Sequence, residues 1–214
     1  MRAIELIRIK IEQEVFDYTQ LMSALVEYKK PRDVVTSLIK TEQIIRIRKG
    51  LYIFGKTWRR KIIEREMLAN LIFGPSVLSL DYALSYYGLI PERIEELTSI
   101  TSGRSRVFNT PIGIYSYTQL GVKKLSFGYS IQKSSDSSWL IATPLKALFD
   151  KVWCDKRFTP TSPSSYFSYL VEDLRIDMEQ LKSYLDKDQM MDYKVKYSSR
   201  KINWLTNHLA KEIG

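Results

Sequence analysis

Chemistry that relies on sulfur or imidazole has little to work with in this chain: its 214 residues include one cysteine, Cys154, and one histidine, His208. A lone cysteine excludes an internal disulfide framework and a cysteine-based zinc cluster within one chain. It fits a reducing compartment. His208 lies between Asn207 and Leu209 in an amphipathic stretch, with no cysteine or carboxylate at metal-ligand spacing. Neither a metal role nor a catalytic role is expected of it. No apolar run reaches the roughly 18 residues that read as a membrane span. The opening MRAIELIRIKIEQE interleaves charges with isoleucines and lacks the apolar centre of a secretory signal. Neither G-x-x-x-x-G-K-[ST] nor G-x-G-x-x-G occurs, and there are no internal repeats. These absences lead us to expect a cytoplasmic protein with no membrane segment, no cofactor and no enzymatic activity.

What is present is ordinary in amount and uneven in position. Hydrophobic residues make up 44% and charged residues 27%, enough for one or two compact domains. The formal net charge is +9. Between Met1 and Arg65 there are 15 Lys and Arg against 8 Asp and Glu, so most of the excess sits in the first third. Evenly spread, such a balance would mean solubility alone. Concentrated in one segment, it suits a polyanionic partner.

That segment reads as three helices and a hairpin. Ile4, Ile7, Ile11 and Val15 recur at helical spacing, and Phe16-Asp17 breaks the pattern. A second helix opens at Tyr18 or Thr19 and runs to Leu25. The third starts at Pro31, a residue tolerated in a first helical turn, and runs to about Lys40. Its Val34, Val35, Leu38 and Ile39 point inward and its Arg32, Asp33, Thr36, Ser37 and Lys40 outward. In QIIRIRKGLYIF, Ile45 and Ile47 alternate with Arg46 and Arg48, and Lys49-Gly50 makes the turn. Helix, helix, helix, basic hairpin is the order of a winged helix-turn-helix.

The remainder is expected to be an α+β domain followed by helices. Residues 55 to 65 form a charged connector merging into a helix that ends near Phe73, with Ile62, Ile63, Met67 and Leu71 on one side. SVLSL reads as a strand and Asp81 to Tyr87 as a helix capped by Gly88. From Leu97 to about Ile141 the texture is β, with Ser134 to Ser138 as a hairpin loop. A helix starts at Thr143-Pro144 and buries Leu145, Leu148, Phe149 and Val152; Lys146 and Asp150 form an i,i+4 pair on it. After the Pro/Ser stretch RFTPTSPSS come helices over Tyr166 to Leu174, Met178 to Leu185 and Tyr197 to Ile213. The fold class is α+β, in three regions: 1–57 winged helix-turn-helix, 58–154 α+β and 155–214 helical.

KGLYIFG, then SVLSLDYALSYYGLIPERIEELTSIT, then WLIATPLKALFDKVW resemble the AbiEi antitoxins, the transcription-repressing partners in bacterial type IV AbiE toxin–antitoxin systems. The resemblance spans roughly Val15 to Trp153 and does not reach the tail. It implies a repressor that binds inverted repeats of double-stranded operator DNA in its own promoter. It further implies a functional pairing with an AbiEii-like nucleotidyltransferase toxin, without a stable direct complex, as part of phage defence. Two copies would occupy an inverted repeat, so self-association is possible.

In a winged helix-turn-helix the third helix enters the major groove, which makes Arg32, Thr36, Ser37 and Lys40 the candidates for base edges. Arg46, Arg48 and Lys49 would meet phosphates or the minor groove, and Thr19 and Gln20 would anchor the backbone. Arg59, Arg60 and Lys61 are secondary candidates. Two other readings compete. Winged folds also serve as protein-binding adaptors, with the basic face incidental. A Mg-dependent nuclease would need clustered carboxylates and a lysine, for which Asp81, Asp150 and Asp192-x-Lys194 are the available residues.

Overall fold

The computed structural model describes residues 2–212. The chain is mixed α and β, with helices at both ends. It divides into two compact units, Met1–Arg65 with Asn109–Gly113, and Glu66–Phe108 with Ile114–Gly214. Residues 58–154 and 155–214, read from sequence as separate regions, thus fall mainly within one unit.

The first unit runs α1 (Ala3–Lys10), β1 (Val15–Asp17), α2 (Tyr18–Ala24), α3 (Pro31–Lys40), β2 (Ile44–Arg48) and β3 (Leu51–Phe54). Its three strands are antiparallel in the order β1-β3-β2. The first helix is shorter than its isoleucine spacing suggests. It stops at Lys10, Ile11 is extended (φ −119°, ψ 109°), and Val15 pairs with Ile53 in the sheet. Tertiary packing decides this: Phe16 is buried 4.7 Å from Phe54, and the chain must straighten to deliver it. Glu14 is buried in an ion pair with Arg8, whose guanidinium lies 4.3 Å from the centre of the Phe54 ring. Ile4, Ile7, Leu21, Leu25, Val35, Leu38, Ile44 and Phe54 form the shared core.

The second unit holds a six-stranded sheet in the order β6-β7-β5-β4-β9-β8. Its strands are β4 (Ser76–Leu78), β5 (Leu97–Thr101), β6 (Arg106–Thr110), β7 (Gly113–Gln119), β8 (Tyr129–Lys133) and β9 (Ser138–Ala142). β4 runs antiparallel to β5 and parallel to β9, while β8 and β9 form a hairpin closed at Ser134–Ser137. α4 (Arg65–Ile72), α5 (Leu80–Tyr86), α6 (Val122–Leu125) and α7 (Pro144–Cys154) intervene. α4 buries Leu68, Ala69 and Ile72. The sequence phase through Ile62 and Leu71 fails because residues 62 to 64 are not helical. Ile62 is 87% exposed and Leu71 44%.

The tail of this unit comprises α8 (Ser165–Ser168), continuing as a π-helical stretch through Asp173, then α9 (Met178–Lys182), α10 (Lys187–Tyr197) and α11 (Arg200–Leu209). The helix expected to start at Tyr197 starts at Arg200 instead: Tyr197 closes a preceding helix, α10, and the chain breaks at Ser198, whose φ is +48°. α10 escapes the sequence reading because it is mostly polar; only Met190, Tyr193 and Tyr197 are buried. α11 ends at Leu209, and the expected helix terminus at Ile213 lies outside the described residues. Among the described residues no helix is long and apolar enough to cross a membrane.

Candidate nucleic-acid interface

α3 presents Arg32, Thr36, Ser37 and Lys40 to solvent and turns Val35 and Leu38 into the core. Positions 32, 36 and 40 follow one another along one helical stripe, about one turn apart. The Thr36 hydroxyl donates to the Arg32 carbonyl at 3.0 Å, and the Ser37 carbonyl accepts from the Thr41 hydroxyl at 2.9 Å. Asp33 is exposed in the first turn, where it complements the helix dipole.

Arg46, Arg48 and Lys49 are all exposed. A register shift between Arg46, opposite Tyr52, and Arg48, opposite Leu51, leaves Ile47 buried between two outward cations. Gly50 takes φ +89°, open only to a residue without a Cβ at low cost, and makes the tight turn. The Gly50 carbonyl accepts from the Tyr18 amide at 3.1 Å, so the hairpin tip lies against the first turn of α2. That contact brings Lys49 and Thr19, distant in sequence, to one end of the unit. Thr19 is exposed. Gln20 is half-buried and already employed: its Oε1 accepts from the Asp17 amide at 2.9 Å, and its own amide donates to Asp17 Oδ1 at 2.8 Å. This is a reciprocal cap on α2.

Several acidic residues of the first unit already have partners within it, and none of those partners is a cation of α3 or of the β2–β3 hairpin. Glu5, Glu14 and Glu27 bind Arg2, Arg8 and Lys10, and Asp17 caps α2. Two exposed lysines not among the sequence candidates, Lys29 and Lys30, stand immediately before α3. Their signal was the KKP string itself. Arg59 is anchored: its guanidinium donates to the Phe54 carbonyl at 3.3 and 3.2 Å. It lines a shallow groove of about 370 Å³ with Lys56, Arg60, Lys61, Ile62 and Ile63.

The acidic residues considered for metal chemistry do not form one group. Asp81 pairs with Lys151 at 2.6 Å and Asp192 with Lys196 at 2.5 Å. Asp150 is wholly buried: Oδ1 accepts from Lys146 Nζ and the Tyr197 hydroxyl, and Oδ2 from Ser79 Oγ at 2.7 Å. Among the described residues no three His, Cys, Asp or Glu side chains converge to hold a metal. Lys146, the other half of the i,i+4 pair, is also fully buried. Burial presses its ammonium pKa down against the pull of Asp150. The half-buried Cys154 thiol is pushed up to about 12, first by burial and then by Asp150. Tyr86 is 43% exposed and stands edge-on to Tyr87.

Compared with known proteins, the chain matches no family model and no curated protein.

Proposed function

We propose that this chain is a DNA-binding transcriptional repressor, the antitoxin of an AbiE-like toxin–antitoxin pair, and that its first unit acts as a winged helix-turn-helix. The observation that carries the reading is a set of outward basic and polar side chains within one compact unit: exposed Arg32, Thr36, Ser37 and Lys40 on α3, and exposed Arg46, Arg48 and Lys49 on the β2–β3 hairpin. The strand order β1-β3-β2 around three helices supports it, since that arrangement frees α3 for a groove and the hairpin for the flanking backbone. Arg32 would read guanine in the major groove, Thr36 and Ser37 neighbouring base edges, and the hairpin cations phosphates. Thr19 would hold the backbone; Gln20 would serve mainly by fixing the α2 terminus that carries Thr19. The unit 2 sheet and tail are assigned the antitoxic role, exerted on a nucleotidyltransferase-like toxin.

The test is an anisotropy titration of the whole protein on its own upstream DNA, with a scrambled duplex as competitor, at two salt concentrations. A repressor binds its own sequence tightly, resists the competitor, and weakens with salt as counterions are released. Equal, wholly salt-sensitive binding to both duplexes would sink the repressor reading and leave a merely cationic surface. No binding to either, together with co-purification of another protein, would favour a protein-binding adaptor.

A further inference from the structure

β8 is an edge strand of the six-stranded sheet, paired on one side with β9. Three hydrogen bonds fix which of its backbone groups face away from that partner. At one end of the hairpin the Ser134 amide donates to the Ser137 carbonyl at 2.9 Å; beyond the other, the Thr143 amide donates to the Gly128 carbonyl at 2.8 Å. Antiparallel ladders alternate bonded and non-bonded pairs. In the observed register the bonded pairs are therefore Ser130 with Ile141 and Gln132 with Trp139. Leu140, opposite Ile131, sends its amide the other way, to Asn70 Oδ1 at 2.7 Å. By this alternation the N–H and C=O groups of Tyr129, Ile131 and Lys133 point off the edge of the sheet. The side chains of Tyr129 and Ile131 are 42% and 61% exposed. Ser130 and Gln132 are turned to the opposite face, against the Tyr87 hydroxyl.

We propose that β8 is a self-pairing edge: a second copy of the chain adds its own β8 antiparallel, centred on Ile131, and continues the sheet across a two-fold axis. The strand is suited to its own copy in three ways. Its outward bonding residues are the first, third and fifth of five, so about Ile131 each outward donor meets an acceptor. Ile131 then lies opposite Ile131, joining two exposed apolar side chains. Tyr129 lies opposite Lys133, twice, setting an aromatic ring beside each ammonium. The alternatives fit worse. A register centred on Lys133 sets like charges side by side, and one centred on Tyr129 leaves Lys133 unmatched. Lysine on an edge strand commonly discourages pairing; here the centred register gives it a partner. Two five-residue strands bury less than the roughly 1,200–2,000 Å² typical of stable complexes. The association is accordingly weak, with a Kd on the order of 100 µM, and takes effect where two copies are held close together. It does not depend on the DNA-binding reading, because a chain that bound no DNA would still pair.

Sedimentation equilibrium of the full chain tests this. Wild type should shift with concentration from the 25.1 kDa monomer toward twice that mass. Ile131→Glu should remain monomeric, and Val122→Glu, at an exposed site on α6, should behave as wild type. Ile131→Pro is a second variant, since it removes only an outward N–H and edge strands tolerate proline. Amide exchange followed residue by residue gives the sharper readout. Tyr129, Ile131 and Lys133 should slow as concentration rises, while Ser130 and Gln132 are slow throughout. A monomer at every concentration up to about ten times the expected Kd overturns the proposal. So does a dimer that Ile131→Glu leaves intact, or one whose new protection appears elsewhere.

Discussion

At the scale of single residues, Asp150 carries the heaviest structural charge in the second unit. Its carboxylate accepts from Lys146, Ser79 and Tyr197 without exposure to water. Removing one member of a buried ion pair leaves the other uncompensated, so Asp150→Ala should cost about 3–5 kcal/mol. Replacing both, as Lys146→Met with Asp150→Leu, should recover much of that loss. Urea unfolding of the two variants measures the difference, and equal losses would show that the pair does not act as a unit. His208 gives a pH dependence of known sign. Its ring is buried, Nε2 has no hydrogen-bond partner among the described residues, and burial lowers its pKa, with Glu212 opposing and Lys211 adding. The unfolded chain therefore takes up this proton first as pH falls below about 6.5. Stability drops through that range and levels off once folded His208 is also protonated. His208→Gln should flatten this part of the curve, read as the urea midpoint at pH 7.5 and 5.5. Sequence alone placed Lys146 and Asp150 four apart on a helix. Their burial was not legible, because Ser79 and Tyr197, which complete the shell, are remote in the chain.

At the scale of elements, α3 and the β2–β3 hairpin should divide specificity from affinity on the proposed reading. Neutralising Arg46, Arg48 and Lys49 to glutamine should weaken binding to specific and scrambled duplexes alike, and reduce the log–log salt slope by about 0.9 per lost phosphate contact. Arg32→Ala should instead cost about 1–3 kcal/mol on the specific duplex while changing the slope by no more than one contact. Salt-dependent titrations of the two variants separate the cases; a reversed pattern would exchange the roles of the two elements. These elements were the legible part of the chain. Val35 and Leu38 against Arg32, Thr36 and Lys40 give α3 its two faces, and Lys49-Gly50 marks its turn without ambiguity. α1 and α10 were harder for opposite reasons. Ile11 and Val15 extend a helical rhythm into residues that Phe16 pulls straight, whereas α10 hides its buried Met190, Tyr193 and Tyr197 among charges. Gln20 shows a further limit. Its side chain is spoken for by Asp17, a cap that looks in sequence like a polar residue open to a ligand.

At the scale of the whole molecule, the two units are built from chain segments of very different locality. The first draws on residues up to Arg65 and adds only Asn109–Gly113. Local composition is enough to suggest such a unit, which is why its charge and element order were visible early. The second interleaves strands and helices from Glu66 onward, and its tail, beyond the Pro/Ser stretch, packs back on α7. No local pattern announces that return, because it is made by Tyr197 reaching Asp150. The same bond has a consequence for the order of synthesis. Chains emerge from the ribosome at about 5–20 residues per second, and Ser79, Lys146 and Asp150 are all made before Tyr197. Until that tyrosine is translated, the carboxylate at the centre of the second unit lacks one of its donors and its polar core stays open. A nascent chain would thus carry a finished α3 and basic hairpin for seconds before the rest could close, so the two units would mature on separate clocks.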